Sequence, residues 1–202
     1  MTTHNFQKVF NVFSKHYVLV PLEIFGDNSY KTLVSTLLSS RTKDEVTLAA
    51  SLRLFKKVSN FKALSQMTQS GIATEIYPVG FYKTKAKHLK LLSKIILDDH
   101  FGKVPNTQED LIKLPGVGRK TANLVLNRAF GTPAIAVDTH VHRITNLLGW
   151  VKTKTPQQTE TQLNKILPKK YWSNINRLFV SIGRQFNSKN KLSEFLQKEK
   201  LT

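Results

Sequence analysis

The chain has 202 residues, of which 40% are hydrophobic, a composition typical of a folded protein with a core. Its 31 Lys and Arg residues against 13 Asp and Glu residues give a formal net charge of +18, so its surface must attract polyanions. Nucleic acid is the leading partner class that this charge predicts. The absence of cysteine excludes disulfides, thiolate zinc sites and thiolate-held iron–sulfur clusters.

An anionic membrane surface is the alternative partner for so basic a chain. The sequence contains no apolar run long enough to span a bilayer and no lipidation signal at either end. Residues 1–5 lack the basic stretch and apolar block of a secretory signal, so we expect an intracellular protein that does not bind membranes.

Apolar residues recur at helical spacing along almost the whole chain, so the predicted fold class is all-α. Residues 6–13 predict a first helix, and residues 33–38 a second one that follows a turn at residues 27–29. Thr42 and Glu45 have the spacing of a capping box, in which each side chain binds the other's backbone amide. A third helix is therefore predicted to start there.

Residues 82–99 predict a helix with a core-facing stripe and a basic outer face. Thr107 with Asp110 predicts another helix start, and Gly131 ends a helix that begins after Gly118. Residues 134–137 are interpreted as an extended connection. The lysines of the basic face, interpreted as solvated, are Lys83, Lys87, Lys90 and Lys94. Further helices are predicted over residues 139–149, 156–166, 171–186 and 192–198.

The most informative segment is residues 114–122, Leu-Pro-Gly-Val-Gly-Arg-Lys-Thr-Ala. Gly116 and Gly118 flank the apolar Val117 between two helical stretches, which allows a tight turn with the valine in the core. The amides at the start of the next helix then face outward, and such a turn favours an anion. On duplex DNA the anion would be a phosphate, bound without any base being read.

Residues 114–130, followed by Ala-Val-Asp-Thr-His-Val-His-Arg at residues 136–143, closely resemble the helix-hairpin-helix DNA glycosylases of the endonuclease III branch. Leu-Leu-Ser-Ser-Arg-Thr-Lys-Asp at residues 37–44 and Tyr-Pro-Val-Gly-Phe-Tyr at residues 77–82 extend the resemblance, which covers roughly residues 25–185. A match in three separate blocks is more specific than a generic DNA-binding hairpin.

The resemblance implies two helical domains. One is a six-helix barrel over residues 23–132 that contains the hairpin, and the other combines residues 1–22 with residues 133–202. Duplex DNA with damaged bases or abasic sites is the implied partner, bound in the cleft between them by a monomer.

The implied activity is that of a bifunctional DNA glycosylase and AP lyase of base excision repair, acting on oxidised pyrimidines. Breaking the bond to the base builds positive charge at C1′ of the sugar, so the reaction needs a carboxylate and a nucleophile. By resemblance Lys120 is the nucleophile that forms a Schiff base, after which β-elimination cuts the strand. Asp138 is the carboxylate, and it also stands where an N-cap of the helix at Thr139 is expected.

The resemblance further implies how the duplex is held. Arg41 and Phe81 lie at the tips of two loops that fill the stack when a nucleotide is flipped out, and Arg41 departs from the usual glutamine. His140 and His142 are two apart, and residues at that spacing on a helix point in different directions, so we predict no metal. The predicted DNA-binding residues are Leu114, Gly116, Val117, Gly118, Arg119, Arg41, Phe81, His140 and Arg143.

A second departure lies at the C-terminus. Where the family commonly carries four cysteines that bind an iron–sulfur cluster, residues 187–192 read Asn-Ser-Lys-Asn-Lys-Leu, so no cofactor is expected. Two alternatives remain open. A monofunctional mismatch glycosylase is disfavoured by Lys120, since such relatives generally lack a lysine there, and a non-catalytic DNA-binding hairpin module has no need for Asp138.

Overall fold

The structure, a computed structural model, describes residues 5–26 and 28–202. Asp27 of the predicted turn at residues 27–29 and the first four residues of the predicted second domain lie outside this part. All regular structure within it is helical, which confirms the all-α prediction. The α-helices are α1 Phe6–Lys15, α2 Ser29–Ser39, α3 Asp44–Lys57, α4 Phe61–Gln66, α5 Gln69–Ile76, α6 Tyr82–His100, α7 Gln108–Lys113, α8 Arg119–Phe130, α9 Thr139–Leu147, α10 Pro156–Ile166, α11 Trp172–Gln185 and α12 Lys189–Lys198. Short 3-10 helices occupy Pro21–Phe25 and Lys169–Tyr171.

The chain divides into two compact units. The middle unit is Pro21–Thr132, and the terminal unit joins the chain up to Val20 with Pro133–Thr202. Residues 23–132 were the range expected for the first domain from sequence. Each unit has its own buried apolar residues.

The central helix of the middle unit is α2, in which eight of eleven residues are buried. It packs against α3, α6 and α8. Because other helices surround it, its buried faces carry apolar side chains together with the small hydroxyl residues Thr32, Ser35 and Thr36. Asn28 begins it, since its side chain accepts a hydrogen bond of 2.9 Å from the amide of Lys31.

Aromatic side chains dominate the core of the terminal unit. Phe10 stacks on Tyr171 with ring centroids 4.2 Å apart, and the ring of Phe13 meets Phe179 edge-on at 4.9 Å. These contacts join α1 to the 3-10 helix Lys169–Tyr171 and to α11. Leu192 of α12 is fully buried in the same core.

Several helix ends follow the sequence signals. Thr107 accepts a hydrogen bond from the amide of Asp110 at the start of α7, and Gly131 ends α8 in a left-handed conformation, φ 64°. Residues 134–137 form a connection without regular secondary structure and not a strand. By contrast, the short helices α4 and α5 were not predicted.

The capping box predicted at Thr42 is wrong. Helix α3 begins at Asp44, and Lys43, which precedes it, makes no side-chain cap bond. The Thr42 hydroxyl instead lies 3.2 Å from the carbonyl of Ser40, and it accepts a hydrogen bond of 3.1 Å from the amide of Gly80. A contact with a loop distant in sequence has therefore displaced the local capping bond.

One lysine of the basic face on α6 is not simply solvated. Lys90 is half-buried, and its ammonium donates to the carbonyls of Met67 at 2.6 Å and Ser65 at 3.3 Å. It thereby caps the end of α4, where the last carbonyls receive no hydrogen bond from an amide of the same helix. Lys83, Lys87 and Lys94 are exposed, as the prediction required.

Candidate functional site

The hairpin between α7 and α8 has the geometry that its sequence predicts. Leu114 and Val117 are buried, and the amide of Val117 donates to the carbonyl of Leu114 at 3.1 Å, which closes the turn. Gly116 adopts a left-handed backbone, φ 79°. Gly118 precedes the first turn of α8, where a helix leaves its amides without intrahelical acceptors. The turn therefore presents an electropositive helix start at the surface.

The two glycines differ in their surroundings. A Cβ atom added to Gly116 would lie 2.6 Å from Nδ1 of His88 on α6, so the turn lies directly against that imidazole. A Cβ atom added to Gly118 would meet no atom within 4 Å. Gly116 is thus required by the fold, whereas Gly118 leaves open space in front of the helix start.

This contrast predicts different outcomes for two matched substitutions. We expect Gly116→Ala to lower the free energy of unfolding by about 1–3 kcal/mol, because it combines a left-handed backbone with a collision against His88. Gly118→Ala should change it by less than about 0.5 kcal/mol. Denaturant unfolding followed by circular dichroism measures both. Equal losses would contradict the assignment of the structural role to Gly116.

Lys120 is the second residue of α8 and is exposed. It directly follows Arg119, also exposed, so the hairpin places two cationic side chains on the first turn of the helix. Behind them, the Gln108 side chain donates to Asn123, which is buried and ties α8 to α7. The predicted nucleophile therefore lies on a firmly held helix and is open to a reactant.

Arg41 and Phe81 lie close together in the middle unit, although 39 residues, Thr42 to Gly80, separate them in sequence. The guanidinium carbon of Arg41 lies 5.4 Å from the centroid of the Phe81 ring. Both side chains are exposed, Phe81 by 60%. Both residues have a left-handed backbone, with φ 52° and 59°. Residues other than glycine rarely adopt this conformation, and where they do they are often found at functional sites.

Lys85 of α6 is a residue near these tips that the sequence analysis did not single out. Its side chain is buried with 6% exposure, and its ammonium donates to oxygens on both sides of Arg41. A signal for it exists in the sequence. Lys85 occupies the helical stripe of Leu89, Leu92 and Ile96, so it is a lysine where an apolar residue is expected.

In the terminal unit, Asp138 is the N-cap of α9. Its Oδ1 accepts a hydrogen bond of 2.8 Å from the amide of Val141, which confirms the predicted cap. The preceding segment is fixed by the buried Asn176 side chain, which donates to the carbonyl of Ala136 at 3.1 Å. The carboxylate is half-buried, and only one of its two oxygens takes part in the cap.

His140 and Arg143 lie on the same helix and both pack against α11. A Cβ atom added to Gly183 would lie 2.2 Å from Nδ1 of His140, so the imidazole lies on the bare glycine backbone. The guanidinium of Arg143 donates to the carbonyls of Asn187 at 2.8 Å and Phe186 at 3.3 Å. Both residues therefore have structural contacts, and their predicted contact with DNA stays a prediction.

His142 does not share a site with His140. Its Nδ1 lies 2.6 Å from the hydroxyl of Thr159, a hydrogen bond that joins α9 to α10. Within residues 5–26 and 28–202 no group of three or more His, Cys, Asp or Glu side chains has the arrangement of a metal site. In the same part of the chain, no helix has both the length and the apolar character needed to cross a membrane.

Comparisons with known proteins agree with this geometry. The model of the HhH-GPD superfamily, base excision DNA repair proteins, matches residues 34–169. Endonuclease III of Thermotoga maritima is 47% identical over 156 residues, which cover 77% of this chain and 73% of that protein. Endonuclease III-like protein 1 of Gallus gallus is 46% identical over 159 residues, which cover 77% of this chain and only 57% of that longer protein.

A solved structure of a trapped covalent intermediate between endonuclease III and DNA matches with a TM-score of 0.78 at 31% identity. The match covers 90% of this chain and 87% of that chain. The similarity thus extends far beyond the hairpin, over most of the chain.

Proposed function

The chain belongs to the endonuclease III family within the HhH-GPD superfamily of base excision DNA repair proteins, and we propose that it excises damaged pyrimidines from duplex DNA through a lysine Schiff base. The predicted enzyme class, DNA glycosylase with AP lyase activity, is that of the family. The observation that carries the proposal is the position of Lys120, exposed on the first turn of the helix that follows the hairpin.

In the proposed reaction the neutral amine of Lys120 attacks C1′ of the damaged nucleotide. The bond from C1′ to the base breaks, and the base leaves with the bonding electrons and takes up a proton. Nζ then loses a proton, the bond from C1′ to the ring oxygen O4′ breaks as O4′ takes up a proton, and the opened sugar remains attached to Nζ as an iminium ion. Loss of a proton from C2′ then expels the 3′ phosphate, which cuts the strand, and water releases the enzyme.

Asp138 has two tasks in this proposal. Its charge opposes the positive charge that develops at C1′, an effect that is strong where water is excluded. Its Oδ1 also caps α9, and this bond fixes the direction of the carboxylate. The cap thus serves to orient the charge as well as to start a helix.

The hairpin binds the DNA backbone in this proposal. Gly118 leaves open space at the start of α8, and the helix dipole and first-turn amides favour a phosphate there. The buried side chains of Leu114 and Val117 anchor the turn in the core, and Gly116 allows its left-handed backbone. Arg119 adds a cation beside it. The net charge of +18 favours a phosphate polyanion such as double-stranded DNA.

We expect Arg41→Ala and Phe81→Ala to slow excision of a paired lesion by about tenfold or more, because stacking on a side chain is worth about 1–3 kcal/mol per base. Binding to undamaged duplex should change less. Single-turnover excision and equilibrium binding measure the two effects. Equal losses in both would make these residues ordinary contacts.

Phe101 offers a matched control for Phe81. It is also an exposed phenylalanine with a left-handed backbone, φ 52°, and is 91% exposed. It lies at the other end of α6, outside the two loops. Phe101→Ala should therefore leave both the excision rate and the affinity for undamaged duplex close to those of the wild type.

We propose that the enzyme works without an iron–sulfur cluster. The residues at the position of the family's cluster do not fit one: Ser188 accepts from the amide of Lys191 as the N-cap of α12, and Leu192 is fully buried. The protein should be colourless and keep its incision activity after chelation, as visible absorption, iron analysis and an incision assay would record. Stoichiometric iron whose removal abolishes incision would contradict this.

An incision assay on a panel of defined duplexes tests the function as a whole. Duplexes with thymine glycol, an abasic site, a G·T mismatch or no lesion separate the alternatives. Strand cleavage at the first two supports the proposal, base release without cleavage indicates a monofunctional glycosylase, and binding without either indicates a non-catalytic module. The chain is proposed to act inside the cell as a monomer.

A further inference from the structure

Lys85 connects the two loops whose tips are Arg41 and Phe81. Its ammonium donates to the carbonyls of Leu38 at 2.8 Å and Ser40 at 2.5 Å and to the hydroxyl of Thr42 at 3.2 Å. Its backbone amide donates to the carbonyl of Phe81 at 2.9 Å. The last of these is the first backbone hydrogen bond of α6, so it is the Lys85 side chain that ties the loop of Arg41 to the helix that begins directly after Phe81.

The loops also touch each other directly. The amide of Gly80 donates to the Thr42 hydroxyl, the same oxygen that accepts from Lys85. A Cβ atom added to Gly80 would lie 2.6 Å from the carbonyl oxygen of Arg41, so the two backbones approach as closely as a glycine permits. Lys85, Thr42 and Gly80 thus form a bridge between the loops, which we call the tip bridge.

Burying an ammonium costs free energy, and an apolar side chain in the stripe of α6 would avoid that cost. Burial lowers the pKa of Lys85 to about 8, so the amine is still mostly charged at neutral pH. As an ammonium it has three N–H donors for the three oxygens around it, whereas a neutral amine has only two. The arrangement therefore matches a charged lysine.

The tips that the bridge holds have unfavourable backbones. Arg41 and Phe81 both lie in the left-handed region, where a side chain persists only if its surroundings enforce the conformation. The tip bridge supplies that enforcement at Arg41, because its bonds lie on either side of that residue, and it reaches Gly80, directly before Phe81. Without it, the loop of Arg41 is free to relax to an ordinary backbone and to carry its tip away from Phe81.

We propose that Lys85 is a positioning residue that locks Arg41 and Phe81 into one rigid wedge, so that both side chains enter the DNA stack together when the lesion is flipped out. This inference rests on the proposed function. It assigns to Lys85 an effect on base flipping and none on the chemistry at C1′, so its consequences depend on whether the lesion must be extracted from a stack.

The test compares single-turnover excision from two duplexes at saturating enzyme. In one, thymine glycol faces adenine. In the other, it faces an abasic site, which removes the pairing partner and lowers the need for a wedge. Lys85→Met should slow the first reaction by about tenfold or more and the second by less than about threefold. Lys87→Met, which removes an exposed charge from the same helix, should change neither rate.

Thr42 provides a second variant in case Lys85→Met does not fold. Thr42 is only half-buried, so Thr42→Val removes the bridging hydroxyl with little change of shape. Thr42→Val should slow excision of thymine glycol opposite adenine more than excision opposite an abasic site. Thr42→Ser, which keeps the hydroxyl, should excise both at close to the wild-type rates. In an Arg41→Ala, Phe81→Ala background, Lys85→Met should have no further effect, because it acts through those two side chains.

The outcomes separate the inference from the function on which it rests. Wild-type protein that cleaves neither duplex would overturn the proposed function itself. If the wild type cleaves both, and Lys85→Met or Thr42→Val slows them equally or leaves them unchanged, the tip bridge has no role in flipping. The enzymatic assignment would then stand without it.

Discussion

Lys120→Gln is expected to abolish covalent trapping and to slow strand cleavage by about 10³-fold or more, because the substitution removes the attacking amine. With the wild type, borohydride should reduce the Schiff base to a stable amine, which cross-links the protein to DNA with an abasic site. Denaturing gels with labelled DNA measure both trapping and cleavage. Binding to undamaged duplex should fall by less than about tenfold, since at most one phosphate contact is lost.

Lys113 offers a matched control for the loss of charge. It is an exposed lysine in the same hairpin, and its ammonium already pairs with Asp110 at 3.0 Å. Lys113→Gln should trap and cleave like the wild type. If Lys120→Gln is trapped as well as the wild type, another amine is the nucleophile. If the wild type releases the base without being trapped, the monofunctional alternative is correct.

Asp138→Asn is expected to lower the rate of base excision by about 10²-fold or more, because it removes the negative charge that opposes the positive charge at C1′. The asparagine oxygen can still accept from the amide of Val141, so the cap of α9 and the fold should survive. Cleavage at an existing abasic site has no base to remove and should suffer less. Separate single-turnover assays on thymine glycol and on an abasic site measure the difference.

Two further variants separate the charge of Asp138 from its cap. Asp138→Ala removes both, so it should lose excision as Asp138→Asn does and also lose about 1 kcal/mol of stability, a fall in Tm of about 2–4 °C. Thr155→Ala removes only a cap, that of α10, where the hydroxyl accepts from the amide of Gln158. It should lose stability and retain excision. Full activity of Asp138→Asn would assign Asp138 a purely structural role.

The local features of the fold could be predicted from the sequence because their hydrogen bonds join near neighbours. Asp138 caps α9 through Val141, and Thr107 caps α7 through Asp110, each three residues further along the chain. The hairpin is equally local, since its turn depends on Gly116 and on the burial of Val117. The resemblance through which Lys120 and Asp138 were found rests on these same segments.

The tertiary structure alone decided which local signals are used and which are displaced. Thr42 has the spacing of a capping residue, yet its hydroxyl binds Gly80, 38 residues away, because helix packing brings that amide within 3.1 Å of it. Lys85 stands in sequence where the stripe of α6 calls for an apolar residue, but only its bond to Ser40, across 45 residues, shows what its buried ammonium binds. Long-range hydrogen bonds of this kind leave no periodic pattern, since they depend on how helices pack and not on the order of residues within one.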